Sequence, residues 1–179
     1  MAASGGTWAK GRFKPAGAAQ TLPSAQAIKS VALGRFRTHF DLAEAKATVA
    51  GWPKHNQEMA LNAISHLVKG KYQGAALYSG GKMVAVMAYQ GPGGLNRFYS
   101  LNYLAADGQT KGAGTAMVAW MAHYAGSHGR PLKIGSTPQS QGFYKSIGLK
   151  TRGGREEEEE FYLSPQDALA FARKHNVKG

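Results

Sequence analysis

The chain has 179 residues, no cysteine, 43% apolar residues and a formal net charge of +12. That length supports one domain with a substantial core. The lack of cysteine excludes disulfides, zinc–thiolate and iron–sulfur sites and a cysteine nucleophile. No apolar run approaches the ~20 residues of a membrane span. The N-terminus has no apolar segment behind its positive charges, so no secretory signal peptide is expected.

The charge is unevenly placed. Lys10, Arg12, Lys14, Lys29, Arg35 and Arg37 give residues 1–40 six cations and no acid, whereas Glu156–Glu160 hold five of the ten acids. Such asymmetry suits a polyanionic or acidic partner for the N-terminal part, or equally a solvated basic tail. Residues 1–23 are mostly Ala, Gly, Ser, Lys and Pro, a composition that cannot bury a core of its own. They read as an irregular arm. Its Trp8, Lys10, Arg12, Phe13 and Lys14 would suit anchoring on a protein or nucleic-acid surface.

Residues 24–179 read as the domain. Phe36, Thr38 and Phe40 alternate as in a strand. Asp41 caps a helix over 42–50 that Gly51 ends. A second helix over 56–69 carries Met59, Ile64, Leu67 and Val68 on roughly one face. Residues 75–79 and 82–89 form a hairpin around Gly80-Gly81, a pair that can take the positive φ of a two-residue turn. A strand over 97–105 then leads through Ala106-Asp107-Gly108 into a short loop and a helix running to about Gly126. A strand over 131–137, a helix over 139–147 closed by Gly148, a Gly-rich connection at 151–154 and a strand over 158–163 follow. Ser164-Pro165 starts a last helix over 166–175. This order predicts an α/β (mixed α+β) fold, a mixed sheet with helices on both faces.

The loop Gln109-Thr110-Lys111-Gly112-Ala113-Gly114 is where chemistry is expected. The first amides of a helix have no intrahelical acceptor and sit at the positive end of its dipole. Small residues at Gly112, Ala113 and Gly114 let a phosphate approach them, and Lys111 adds a cation. The loop is suited to a pyrophosphate.

Gln109-x-x-Gly112-x-Gly114, between a strand and a helix, resembles the acetyl-coenzyme A signature of the GNAT superfamily of N-acetyltransferases, (Gln/Arg)-x-x-Gly-x-(Gly/Ala). The Gly80-Gly81 hairpin lies upstream as in that family, and Leu104 stands five residues before Gln109, where the family has an apolar strand residue. Phe143-Tyr144-Lys145-Ser146-Ile147-Gly148-Leu149 is similar to its Phe-Tyr-x-x-x-Gly-Phe segment. The resemblance spans about residues 74–163 and is only topological for 24–70. It implies a central mixed, mostly antiparallel sheet. Acetyl-coenzyme A would place its pyrophosphate on the amides of Gln109, Thr110, Lys111, Gly112, Ala113, Gly114 and Thr115. Its pantetheine arm would pair with the backbone of Tyr103, Leu104 and Ala105, which requires two neighbouring parallel strands to splay. Tyr144 would protonate the departing thiolate as an amine attacks the thioester directly, and a backbone N–H near Leu104 would stabilise the thioester oxygen.

Two departures from the family pattern stand out. Where relatives often have an Asn after the strand that precedes the Phe-Tyr helix, this chain has Gly135-Ser136-Thr137-Pro138, so Ser136 or Thr137 would have to supply the polar group. A general base is also needed, because free amines near pH 7 are mostly protonated. The strand over 97–105 carries no carboxylate, and His39, His55 and Glu58 are candidates among which nothing selects. His123 and His128 fall on different helix faces, so no metal site is expected. The Glu156–Glu160 run is expected to solvate an edge strand. The leading expectation is an acetyltransferase using acetyl-coenzyme A on an unidentified amine. The alternative is a GNAT-fold component of a larger assembly, such as a virus particle, docked by residues 1–23 with weak or no catalysis. A toxin-like enzyme acting on aminoacyl-tRNA is a third reading. The expected location is the cytoplasm or a macromolecular particle such as a virion.

Overall fold

The computed structural model describes residues 35–155 and 158–175; the expected arm at 1–23 lies outside them. The chain order is β1 (Arg35–Arg37), α1 (Leu42–Val49), α2 (Lys54–Val68), β2 (Gln73–Ser79), β3 (Lys82–Gln90), β4 (Tyr99–Ala106), α3 (Ala113–Ser127), β5 (Leu132–Ser136), α4 (Pro138–Ser146), β6 (Thr151–Arg155), β7 (Glu158–Leu163) and α5 (Pro165–Lys174). The strands form a seven-stranded sheet in the order β1-β2-β3-β4-β5-β7-β6. Every neighbouring pair is antiparallel except β4 and β5.

Local chemistry explains most of the boundaries. Asp41 Oδ1 accepts from the N–H groups of Ala43 (2.7 Å) and Glu44 (3.0 Å), starting α1. Ser164 Oγ accepts from Asp167 N–H (3.1 Å) and starts α5. Such caps satisfy helix amides that would otherwise be orphaned. Gly80 (φ 56°) and Gly81 (φ 81°) turn the β2–β3 hairpin, a backbone that side chains disfavour at two successive positions. β3 is buried from Met83 to Tyr89 because it lies inside the sheet with both faces covered.

Two layers of helix cover the sheet. On one face α3 and α5 pack with β3, β4, β5 and β7 around Met117, Trp120, Met121, Leu101 and Phe161. On the other, α1 and α2 bring Leu42, Val49, Ile64 and Leu67 against Ala76, Val86 and Ala88.

Three sequence expectations change. The Gly-rich connection at 151–154 belongs to a strand, β6, which pairs with β7. β6 therefore occupies the edge, and β7, with its glutamates, lies inside it. Glu160 answers Lys133 on neighbouring β5 at 2.5 Å. Val68 is exposed rather than on the packed face of α2, which instead buries Ala60, Ala63, Ile64 and Leu67. Its expected companion Met59 is only half-buried at the edge of that core.

A splayed sheet edge beside a bare helix start

β4 and β5 begin as a normal parallel pair and then part. Tyr99, Ser100 and Leu101 lie opposite Leu132, Lys133 and Ile134, and there the pairing stops although β4 runs on to Ala106. A bulge accompanies the break. Leu101 faces Tyr89 of β3 and Tyr103 faces Ala88, so Asn102 is an extra residue without a partner. Bulges bend a strand and re-aim the side chains beyond them.

The hydrogen-bond parity of β4 can be followed across the bulge. Tyr99 N–H donates to Pro131 C=O at 2.9 Å, toward β5. Beyond Asn102, Asp107 N–H donates to Val84 C=O at 2.9 Å, toward β3, with Ala105 opposite Val86 and Tyr103 opposite Ala88. Backbone groups on an antiparallel strand alternate in direction. Ala105 and Tyr103 therefore spend their backbone groups on β3. Those of Leu104 and Ala106 turn to the edge that β5 has left. Of the three β4 residues expected to pair with a pantetheine arm, Leu104 alone presents its N–H and C=O there. Ala106 is the second such residue, and only the strand register reveals it.

The loop after β4 is held from within. Asp107 Oδ1 accepts from Gln109 N–H (3.0 Å) and Thr110 N–H (2.8 Å), and Thr110 Oγ1 donates to Asp107 Oδ2 (2.6 Å). Two of the amides expected to meet a phosphate are thus already occupied. Ala113 N–H bonds back to Thr110 C=O at 3.2 Å. The N–H groups of Lys111, Gly112, Gly114 and Thr115 have no partner among the described residues. Gly112, at φ 82°, is the left-handed residue that opens α3. These four amides, the helix dipole and the exposed Lys111 side chain form a cradle for an anion. The carboxylate of Asp107 shapes it without entering it.

The two sequence motifs meet. A Cβ on Gly114 would lie 3.1 Å from the Phe143 ring, so the absence of a side chain lets α4 close on the start of α3. α4 follows directly on β5 and sets Tyr144 beside Phe143 and against Phe161 (centroids 5.1 and 5.3 Å). Tyr144 is only 5% exposed, and burial pushes its phenol up to about 12. It therefore stays protonated through the neutral range and is available as a donor. Thr137 caps α4 in a reciprocal box with Ser140, at 3.0 Å from its N–H to Ser140 Oγ. Ser136 is the buried polar residue at the end of β5.

The expected bases lie apart. His39, His55 and Glu58 are all exposed, His39 after β1 and the other two on the outer face of α2. A different histidine reaches β4: His66 Nε2 lies 3.0 Å from Tyr103 Oη. No local pattern pairs residues 37 positions apart, so sequence reasoning passed over it. Among the described residues no group of three or more His, Asp or Glu side chains could hold a metal ion, and no helix is long and apolar enough to cross a membrane.

The architecture is that of the GNAT-family acetyltransferases. The ribosomal-protein-S18-alanine N-acetyltransferase of Escherichia coli is 18% identical, matching 73% of this chain and 92% of its own at a TM-score of 0.53. A GNAT-family acetyltransferase of Bacillus cereus is 10% identical over 73% and 96%, at 0.54. The PaiA N-acetyltransferase of Thermoplasma acidophilum, solved in complex with coenzyme A, is 13% identical over 73% and 98%, at 0.50. No protein-family profile and no curated protein sequence matches the chain.

Proposed function

We propose that the protein transfers acetyl from acetyl-coenzyme A to an amine by direct attack on the thioester. The observation that carries this reading is the coupling of two recognition elements on one stretch of chain. A strand edge with backbone groups of Leu104 and Ala106 turned outward runs straight into four unpartnered amides at the start of α3. The first suits a ligand with amide groups, which would add to the edge like a strand. The second suits a pyrophosphate. Coenzyme A carries both, separated along one arm, and a solved structure with this fold holds coenzyme A.

Each group then has a task. The amides of Lys111, Gly112, Gly114 and Thr115, with Lys111 Nζ, hold the phosphates. Leu104 N–H donates to the thioester oxygen, where charge builds as nitrogen attacks. The C–S bond breaks with its electron pair on sulfur, and Tyr144 donates a hydrogen bond to it. With its phenol near 12, Tyr144 lies well above a thiol at ~8.5. It therefore stabilises the thiolate more readily than it surrenders a proton, and a proton from the tetrahedral nitrogen or solvent completes the thiol.

Thiol release from acetyl-coenzyme A with a panel of primary amines tests the reading, comparing the protein with Tyr144→Phe. Turnover by the protein and a ~100- to 1,000-fold lower kcat in the variant are expected from losing one transition-state donor. Both at background would overturn the enzyme reading. The charge of residues 1–40 favours one second reading, a fold of this kind docked into a larger assembly through residues 1–23. It fails if deleting that arm leaves association unchanged.

A further inference from the structure

We propose, on the acetyl-transfer reading above, that Tyr103 is the catalytic residue that receives the acceptor nitrogen's proton and that His66 is its positioning residue. The cradle lies at the start of α3, and on this reading the acceptor reaches the splayed edge from the face of α1 and α2. Tyr103 is the β4 side chain on that face that carries a titratable group. Leu101 and Leu104 pack on the α3 side, while Tyr103 packs with the α2 cluster, because the extra residue Asn102 turns it over. Its backbone immediately precedes Leu104.

The phenol is not left to rotate. His66 Nε2 lies 3.0 Å from Tyr103 Oη, and the rings stack at 4.8 Å and 23°. Tyr72 closes the set edge-on to His66 at 5.0 Å. In the tautomer this proposal takes, the phenol donates to Nε2, and Oη then offers only lone pairs to an incoming amine N–H. In that tautomer Nδ1 carries the other ring hydrogen, and Nδ1 is buried with no partner among the described residues. An unpaired buried polar atom is costly to keep. Trp120 Nε1 is also unpaired, but its ring fills the core between Phe36 and Tyr124. His66 sits half-buried, where phenylalanine would stack as well and carry no such cost. A polar ring at this place is explained by what Nε2 does for Tyr103. The Lys71 ammonium lies 5.6 Å from the Tyr72 ring centre, and a cation there favours loss of a proton from an ammonium acceptor.

The step balances. An ammonium acceptor gives one proton to Tyr103 Oη as the phenol passes its own to His66 Nε2, which releases it to solvent. The nitrogen lone pair forms the C–N bond, the C–S pair leaves on sulfur, and a second nitrogen proton completes the thiol. The products are an amide, a free thiol and one proton.

Tyr103→Phe and His66→Gln test this with two probe acceptors at neutral pH, a primary alkylamine, which is protonated, and methoxyamine, which is not. A general base contributes ~100-fold or more. Each variant should therefore lose ~100-fold in kcat with the alkylamine but only a few-fold with methoxyamine. Coenzyme A affinity should be unchanged, and the double variant should be no slower than either single one. Equal losses with both acceptors, additive losses or wild-type rates would overturn the proposal. If Tyr103→Phe unfolds, His66→Gln with imidazole added back decides: no recovery with the alkylamine also overturns it. A wild-type protein that acetylates neither probe removes the acetyl-transfer reading itself and this proposal with it. That outcome is seen before any variant is made.

Discussion

On the α3 side of the sheet the buried set includes Trp120, Tyr89, Tyr99, Tyr124, Tyr144 and Phe161. On the α1–α2 side the buried aromatics are fewer, Phe40 and Tyr78, among aliphatic and small residues such as Leu42, Ile64, Leu67, Ala60 and Ala63. Bulky aromatics interlock: Trp120 stacks on Tyr124 at 5.2 Å, and Tyr124 meets Tyr99 edge-on at 5.3 Å. Small residues let helices come close instead. A Cβ on Gly74 would stand 2.6 Å from Leu67 Cδ1, so α2 lies almost on the backbone of β2. The first construction fixes shape by side-chain volume, the second by proximity. A face that holds an unvarying ligand gains from the first. A face that must fit a particular acceptor can change under the second without disturbing the cradle.

The comparison breaks most readily at Trp120. Trp120→Ala should cost ~4 kcal/mol in a urea melt, against ~3 for Ile64→Ala on the other face. Equal costs would mean that the aromatic face is no more tightly interlocked than its counterpart.

Alkali sharpens the same contrast. Burial pushes the phenols of Tyr124 and Tyr144 up to about 12, and Tyr89 higher still, from an ordinary 10.0. A raised folded-state value means that the unfolded chain releases its protons first. The stabilisation is whole below pH 10 and is lost as pH climbs toward 12, by ~1.4 kcal/mol per unit for each group. Tyr144→Phe should flatten the fall of melting temperature over that window.

At the junction of α3 and α4, Gly114→Val would press against a Phe143 ring already 3.1 Å from a bare Cβ. It should cost ~2 kcal/mol. It should also weaken coenzyme A binding at least ~10-fold in calorimetry, because the branched carbons crowd the unpartnered amides.

The smallest effect is expected at Lys111. Lys111→Ala should weaken coenzyme A binding ~5-fold, and less at high salt, with no change in melting temperature. An unchanged affinity at low salt would place the phosphates elsewhere.

Much of this arrangement was legible in the chain. Asp41 and Ser164 announce helices because a short side-chain oxygen at that place can accept from the first helix amides, and Gly80-Gly81 announces a hairpin because few other pairs tolerate its backbone. The loop at 109–114 and the Phe143-Tyr144 pair were readable as motifs, although the contact between Gly114 and Phe143 was not. What escaped depended on partners distant in sequence. β6 has glycines where a strand would carry alternating apolar residues, and it is a strand because β7 pairs with it. The edge-facing role of Ala106 follows from a register that a single extra residue resets. The His66–Tyr103 contact joins two elements that no local period connects.

Asn102 has a consequence larger than its size. Its insertion puts Leu101 and Tyr103, two apart in sequence, on opposite faces of β4, and it falls where the pairing with β5 stops. Deleting it would make the ladder regular, with Leu101 and Tyr103 on successive partners and the phenol still on the α2 side. On the acetyl-transfer reading, the fit of an acceptor falls to α2 and the loop at 69–72, which can change while β4 keeps its register.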